Sequence, residues 1–514
     1  MVPNVADIRS DSATVFKALI ILTLAFIPRF FFIDETSMMG DEVLYVEVGR
    51  KYITGLLAQD FSYDLWSLNA GHPPVAKLLI GLTSSLLLPV LGDTVHNLYF
   101  SARLASVVVG TLLCLFVYLL GRRCFSEGSA FAASLMSATS PWVVYWSTIA
   151  MLDIFVAFFV TLSFLTLCYL RPSNKSHVLI GFFIGLALGS KGTAVGALTG
   201  LALYAMMSML QDRRRGFQLN LRKVALRSSL VLLSAGLTFF AVWPWLWFDP
   251  LNRLMWTVAR GVDHMVRGHE TYYAGAAYLH VPSWVTPYIL FVKNPAVVFL
   301  STVVFTAHVL ALVLRGKPVP KGHLVVFCWI VGGTLSLSAL PILIGDNYVL
   351  FLAPAVCLSA SMLAIDILGK AKKAKVRWLG IALILIMLAE SVAGLAFCRV
   401  SPSAYVNELI TDGDQAIIMM DTGYEDAAKY LIEHRSEPAV VASPYPDLLA
   451  IEFQRKGVDW FDVVDMKNAR YADYAVVHVS HIRVFGMPRE LEGFRLVHTV
   501  KAGTAILAYI FEAE

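Results

Sequence analysis

The sequence is dominated by long apolar stretches with little polar sequence between them. A helix that crosses a bilayer needs about 20 predominantly apolar residues. Nine stretches are close to that length or longer: 15–33, 103–121, 129–147, 153–170, 224–247, 287–314, 323–344, 347–367 and 378–397. Of the 514 residues only 15% are charged, against about 25% in soluble domains. The sequence therefore predicts a polytopic α-helical membrane protein.

Two further stretches, 75–91 and 177–210, are ambiguous, and the positive-inside rule decides how they are interpreted. Five basic clusters should be cytoplasmic: Arg122–Arg123, Arg171 with Lys175, Arg213–Lys223, Arg315–Lys321 and Lys370–Arg377. All five lie inside if 177–210 is two helices hinged at Lys191 and 75–91 lies in the outer interface. The prediction is then eleven spans with the amino terminus inside, the carboxyl terminus outside, and the first span retained as an anchor.

The last part of the chain has a different character. Residues 402–514 carry more charge and shorter apolar runs. They combine a helical pattern over 423–431 with strand patterns over 438–443, 474–480 and 505–511. We predict a membrane domain over 1–401, with outer loops 34–102 and 248–286, followed by a small extracytoplasmic α/β domain over 402–514.

Several function classes lack their signatures. The six cysteines lie in or beside apolar segments and form neither a CxxC pair nor a Cys/His metal spacing. No phosphate-binding Gly-rich loop is present, and no basic, aromatic-interleaved patch suggests nucleic acid. The candidates for chemistry are instead charged residues at the predicted outer face.

Two adjacent acids, Asp41 and Glu42, lie just past the first span. Acids at a membrane are costly to desolvate and are functional candidates by default. At the start of a helix they also face the positive end of its dipole, which favours the charged form. Helix capping is the alternative interpretation, but capping explains one acid and there are two.

Cationic residues follow in the same outer region. The run His72-Pro73-Pro74-Val75-Ala76-Lys77 predicts a helix start with Lys77 one turn in, placed either to bind a phosphate or to snorkel to the interface. Arg103 opens the second span and Lys191 marks the predicted hinge, and both could hold a phosphate. Asp153 begins the fourth span, where it either organises the site or caps the helix.

The outer loop 248–286 adds His264, Arg267, His269 and Glu270. Contacts to a sugar or a lipid headgroup are the favoured role for these side chains. A divalent metal stays an open alternative, although their spacing matches no known metal motif, and a solvated flexible loop is the simplest explanation.

Taken in order, these motifs resemble the GT-C fold glycosyltransferases that use lipid-phosphate sugars. The resemblance is to the protein O-mannosyltransferases (glycosyltransferase family 39), with the aminoarabinose (lipid A) transferases as relatives. It rests on Asp41-Glu42, His72–Lys77, Ser101–Leu104, Leu152-Asp153 and Gly185–Gly192. It implies about eleven transmembrane helices with outer juxtamembrane helices, in the plasma membrane.

The resemblance also implies an inverting sugar transfer. The donor would be a polyprenyl- or dolichyl-phosphate sugar, most often mannose, and the acceptor a protein, glycan or lipid on the outer side. Asp41 would be the base that takes the acceptor proton, Glu42 would support it, and Lys77, Arg103 and Lys191 would hold the phosphate. Such a transfer needs one positioned base and cations aimed at the departing phosphate.

Some features depart from this family and keep other functions open. The loop 248–286 is too short for the β-trefoil insert of the eukaryotic O-mannosyltransferases, and the α/β tail is not part of their pattern. One alternative is a same-fold transferase that uses another sugar, such as aminoarabinose or a pentose, with a lipid acceptor. Another is a transporter, which would show charges near the bilayer midplane and inverted repeats. The last is a receptor or scaffold built around the outer domain.

Overall fold

The structure is a computed structural model that describes residues 12–218, 220–368, 373–413 and 422–514. Lys370 and Lys372 of the last basic cluster, and residues 414–421 of the predicted outer domain, lie outside these ranges. The helices up to residue 400 are α1 (Ser12–Phe32), α2 (Gly40–Leu57), α3 (Tyr63–Trp66), α4 (Val75–Leu91), α5 (Val95–Cys124), α6 (Glu127–Thr139), α7 (Pro141–Trp146), α8 (Asp153–Tyr169), α9 (Asn174–Leu188), α10 (Val195–Arg214), α11 (Leu221–Val242), α12 (Pro250–Arg267), α13 (Val285–Val292), α14 (Ala296–Leu314), α15 (Lys321–Ser338), α16 (Ala353–Met362) and α17 (Ala374–Phe397).

The described helices agree with a polytopic membrane protein. Eight are long and apolar enough to cross a membrane, and α4, α8 and α9 are shorter apolar helices. The predicted break near Lys191 is present, because α9 ends at Leu188 and α10 begins at Val195.

Three predicted boundaries were wrong. The stretch 129–147 is two helices, because Pro141 has no N–H for a continuous helix and the Ser140 hydroxyl caps the start of α7. The stretch 287–314 is interrupted in the same way before Pro295. Arg103 does not open the second span, since α5 already begins at Val95, capped by the Thr94 side chain.

Helices α2 and α4 pack almost backbone to backbone. A Cβ atom on Gly49 would lie 2.3 Å from the Lys77 carbonyl oxygen, and one on Gly81 would lie 2.2 Å from the carbonyl carbon of Gly49. Only glycine permits such an approach. The crossing fixes the start of α4, with Lys77, against the helix that carries Asp41.

The carboxyl-terminal part contains the predicted α/β unit. Its helices are α18 (Tyr424–His434), α19 (Pro446–Arg455) and α20 (Val479–Phe485). Its strands are β3 (Ala439–Ser443), β4 (Phe461–Asp465), β5 (Tyr474–His478), β6 (Phe494–Ala502) and β7 (Ala505–Ala513), in the order β4-β3-β5-β7-β6. Strands β3, β4 and β5 are parallel, whereas β7 pairs antiparallel with β5 and β6.

The outer loop 248–286 is folded rather than an irregular loop. It contains α12 and a hairpin of β1 (Thr271–Tyr273) and β2 (Ala276–Tyr278). None of the residues of α12 is fully buried, and its hydrophobic residues lie on one face. This amphipathic helix contacts α3, where the Arg253 guanidinium stacks on the Tyr63 ring.

Candidate active site

The two acids at the start of α2 lie in different environments. Glu42 is fully buried, whereas Asp41 is exposed. The Tyr45 hydroxyl, one turn along α2, donates to Asp41 Oδ2 at 3.2 Å. Asp41 is also close enough to interact electrostatically with Lys191 and Tyr348. The exposed member of the pair therefore faces a polar site built from several helices.

Glu42 forms a buried ion pair with Arg103. Arg103 Nε donates to one carboxylate oxygen at 2.7 Å and an Nη atom donates to the other at 2.8 Å. The Ala150 backbone N–H also donates to Glu42, at 2.7 Å. The remaining Arg103 N–H groups donate to the backbone carbonyls of Ile33, Thr36 and Ser37.

This geometry changes the role expected of Arg103. Its guanidinium is fully buried, and all five of its N–H groups have protein acceptors. It therefore has no donor left for a lipid phosphate in this conformation. Arg103 instead fixes Glu42 and the segment 33–37, which leads into α2 and so positions Asp41.

Lys77 is likewise occupied by protein groups. Its ammonium donates to the His72 carbonyl at 2.8 Å and to the Asn69 carbonyl and side-chain oxygens at 3.1 and 3.0 Å. Since an ammonium has three N–H groups, Lys77 binds the loop before α4 rather than presenting a free cation.

His72 is held at the edge of the site by that loop. Its ring packs edge-on against Tyr45, with the centroids 5.7 Å apart. Burial, followed by the nearby charges of Lys191, Lys77 and Arg260, lowers the pKa of His72 to about 3. The imidazole is therefore neutral at physiological pH.

Lys191 and Asp153, predicted separately, form a second buried pair. Lys191 Nζ lies 2.9 and 3.0 Å from the two Asp153 oxygens, and its ammonium is 4.6 Å from the centre of the Tyr348 ring. Asn347 donates its amide N–H to Asp153 at 3.1 Å. Within the described ranges, the Asn347 Oδ1 atom is buried without a hydrogen-bond donor.

Arg260 is the cation that the sequence analysis missed. A Cβ atom on Gly71 would lie only 2.9 Å from the Arg260 guanidinium carbon, so this side chain reaches the loop that carries His72. Arg260 is exposed, and within the described ranges its guanidinium makes a ring contact with Trp256 but has no hydrogen-bond acceptor. Arg253, Arg260 and Arg267 repeat every seven residues along α12, and this helical pattern was the signal that could have found it.

Of the other outer-loop candidates, His264 and His269 lie near each other, with their ring centroids 5.8 Å apart. His264 is close enough to influence His72. Arg267 pairs instead with Asp263 at 2.8 Å on an exposed surface, and both His269 and Glu270 are exposed. Among the residues that the structure describes, no three His, Cys, Asp or Glu side chains are grouped to hold a metal ion.

An apolar groove of 420 Å³ lies beside the start of α4. It is lined by hydrophobic side chains of α2, α4, α8, α9 and α11 and of the 3₁₀ turn that follows α11: Leu56, Val75, Leu78, Leu79, Phe159, Leu186, Val242 and Trp247 among them. A groove of this kind can hold a hydrocarbon chain whose polar end reaches the loop of His72.

Solved structures share this architecture. ArnT from Cupriavidus metallidurans in the apo state superposes with a TM-score of 0.50 at 14% sequence identity, covering 97% of this chain and 98% of that one. The fold is that of the GT-C glycosyltransferases. ArnT bound to undecaprenyl phosphate gives a TM-score of 0.49 at 14% identity, with the same coverage. The apo oligosaccharyltransferase of Archaeoglobus fulgidus gives 0.48 at 12% identity, covering 96% of this chain and 74% of that one.

A match to a protein-family model supports the resemblance independently of the solved structures. Residues 71–248 of this GT-C protein match the dolichyl-phosphate-mannose-protein mannosyltransferase model, which confirms the similarity inferred from the motifs. The matched range contains His72, Lys77, Arg103, Asp153 and Lys191, while Asp41 and Glu42 precede it. No curated protein sequence matches the chain.

Proposed function

We propose that this GT-C protein is a glycosyltransferase that moves a sugar from a polyprenyl- or dolichyl-phosphate donor to an acceptor hydroxyl at the outer face of the plasma membrane. The main support for the proposal is which acidic side chains of the site are already paired with a cation and which one is not. Of the three acids that the motifs contribute, Glu42 and Asp153 are in buried ion pairs, and Asp41 alone is exposed.

Asp41 is the general base in this mechanism. Its carboxylate accepts the proton of the acceptor hydroxyl as the oxygen attacks the anomeric carbon. The bond between that carbon and the phosphate oxygen breaks, and the lipid phosphate leaves with the electron pair. Phosphate is a good leaving group, so no protein acid has to protonate it.

The same charge pairing favours inversion. A retaining mechanism uses a second carboxylate as the nucleophile, and both neighbouring acids are already bound to cations. A single displacement with Asp41 as base is the route that these side chains support. The product would then have the opposite anomeric configuration to the donor.

The phosphate of the donor is assigned to Arg260 and Lys191. Arg260 has unused N–H groups and lies beside the His72 loop, while Lys191 has one N–H beyond the two directed at Asp153. Cations placed at a departing phosphate stabilise the charge that develops there. Lys77 and Arg103 act as positioning residues, and the apolar groove beside α4 takes the lipid chain.

The family match favours mannose as the sugar and a protein hydroxyl as the acceptor. The test is transfer of radiolabelled mannose from synthetic polyprenyl-phosphate-mannose to a membrane extract by the purified protein. Asp41→Asn is expected to abolish transfer while donor binding persists. Glu47→Gln, which alters an exposed acid on the same helix, is the matched control and is expected to retain activity.

Three outcomes separate the alternatives. Retained turnover in Asp41→Asn would remove Asp41 as the base. Tight donor binding without mannose transfer by the wild type would point to another sugar, such as aminoarabinose or a pentose. Neither binding nor transfer would overturn the transferase assignment and favour a transporter or a scaffold.

A further inference from the structure

A second cavity lies at the opposite end of the helices from Asp41. It has a volume of 940 Å³ and is lined by α9, α10, α11, the end of α8 and the start of α15. Helix α10 begins just after Lys191 and lines the cavity from Leu198 to Arg215, so that the far end at Gln211–Arg215 is about 24–30 Å along its axis. This far end of the cavity is therefore distant from the candidate active site and belongs to the predicted cytoplasmic side.

Glycine packing explains why a gap is present between α9 and α10. A Cβ atom on Gly181 of α9 would lie 2.3 Å from the Val231 carbonyl oxygen of α11, and one on Gly332 of α15 would lie 2.6 Å from Gly200 of α10. Helices α9 and α11 form one close pair, and α10 and α15 form another. Helices α9 and α10 themselves diverge from their turn at Lys191, which leaves the space between the pairs unfilled.

The cavity has an apolar wall and a basic mouth. The wall is made by hydrophobic side chains: Ile180, Leu198, Leu201, Tyr204, Val231 and Leu324. The mouth carries Arg215, Lys223, Arg227 and Lys321, with Asp212 as the acid among them. His177 also lines the cavity, and its ring contacts the Ser173 carbonyl.

These basic groups have capacity to bind an anion. Arg227 donates one bond, to the Pro172 carbonyl at 2.7 Å, and Lys321 donates one, to the Leu167 carbonyl at 2.7 Å. The side chains of Arg215 and Lys223 have no acceptor among the described residues, and none of the four forms a salt bridge there. The mouth thus has an excess of positive charge next to an apolar chamber.

We propose that this cavity binds an anionic phospholipid of the cytoplasmic leaflet. An acyl chain lies against the apolar wall, and the phosphate is held by Arg215, Lys223 and Arg227. Basic pockets between transmembrane helices on the cytoplasmic side bind such headgroups, and the volume is within the range of about 300–1,000 Å³ that is usual for ligand pockets. The bound lipid bridges α9 and α10, the two helices that meet at Lys191.

The test compares two double variants with the same change in net charge. Arg215→Gln with Lys223→Gln alters the mouth, whereas Arg213→Gln with Arg222→Gln alters neighbouring residues that do not line the cavity. Native mass spectrometry of the intact purified protein titrated with phosphatidylglycerol measures binding. The mouth variant is expected to lose about a hundredfold in affinity, since it removes two charge-assisted hydrogen bonds that each contribute roughly tenfold. The neighbouring variant is expected to bind like the wild type.

A third variant and two other ligands complete the test. Ala205→Phe fills the chamber without altering charge and is expected to exclude phosphatidylglycerol. Phosphatidylcholine and inorganic phosphate are expected to bind the wild type weakly. Equal loss in the two double variants, or equal binding of phosphatidylcholine, would overturn the proposal, as would inorganic phosphate competing at the affinity of the lipid.

Discussion

At the residue scale, Glu42 is expected to stabilise the fold rather than to take part in proton transfer. Glu42→Gln leaves the Arg103 guanidinium fully buried with an uncompensated charge. Removing one partner of a buried pair costs about 3–5 kcal/mol. Thermal unfolding of the purified protein should show a clear loss of stability for Glu42→Gln and none for Glu47→Gln. A stable, folded Glu42→Gln protein with no activity would contradict this role and favour a direct one.

Arg260 provides a second prediction at the same scale, because its guanidinium has no hydrogen-bond acceptor among the described residues. Arg260→Gln is expected to raise KM for the lipid-phosphate donor roughly tenfold, the effect of losing one charge-assisted contact. Arg267→Gln, two turns along the same helix, removes a charge that is already paired with Asp263 on the surface. Steady-state kinetics with varied donor measure both variants. Equal effects of the two substitutions would indicate general surface electrostatics instead of a phosphate contact.

At the scale of elements, α18 should make stability depend on pH through Asp426. Burial and the neighbouring Glu425 raise the pKa of Asp426 to about 7. The folded state therefore binds this proton more tightly than the unfolded state, and the stabilisation is fully present below about pH 4. It is lost as the pH rises through about 7. Asp426→Asn should flatten the decline in melting temperature between pH 5 and 8, and Glu437→Gln, at an exposed site, should not. Parallel curves for wild type and Asp426→Asn would refute the assignment.

The elements also show what the sequence could and could not predict. Length and apolarity located the membrane helices, and the amphipathic spacing of Tyr424 to Leu431 located α18, whose inner face is buried. The strands β4 and β6 were missed, because Asp462 in β4 and Arg495, His498 and Lys501 in β6 interrupt their apolar patterns. The pairing of Arg103 with Glu42 was not anticipated, because the two residues are 61 positions apart and only packing brings them together. Local patterns specify elements, whereas the pairing of charges depends on tertiary contacts.

On the scale of the whole molecule, the carboxyl-terminal unit holds the segment that leads to Asp41. Glu452 of α19 accepts a hydrogen bond from the Met38 N–H at 2.6 Å, and Arg455 donates to the Thr36 carbonyl at 3.3 Å. The Ser37 hydroxyl accepts from the backbone N–H of Gly423 at 3.0 Å. The same segment is held from the membrane side by Arg103. The position of Asp41 therefore depends on both parts of the chain.

This arrangement predicts that Glu452 affects catalysis without contacting the substrate. Glu452→Ala removes the acceptor for Met38 and leaves the buried Arg455 without its carboxylate partner, which lies at 2.8 Å. Small displacements of a catalytic group can cost up to about a hundredfold in rate, so kcat should fall roughly ten- to hundredfold. KM for the donor should change little, because Arg260 and the apolar groove lie elsewhere.

Glu452→Gln keeps an oxygen acceptor for Met38 and should recover much of the lost kcat, while Glu437→Ala serves as the exposed control. A rise in KM for the donor at constant kcat would show that the carboxyl-terminal unit acts on donor binding. An equal loss of kcat in Glu452→Ala and Glu452→Gln would show that the charge of Glu452, rather than its bond to Met38, holds the segment.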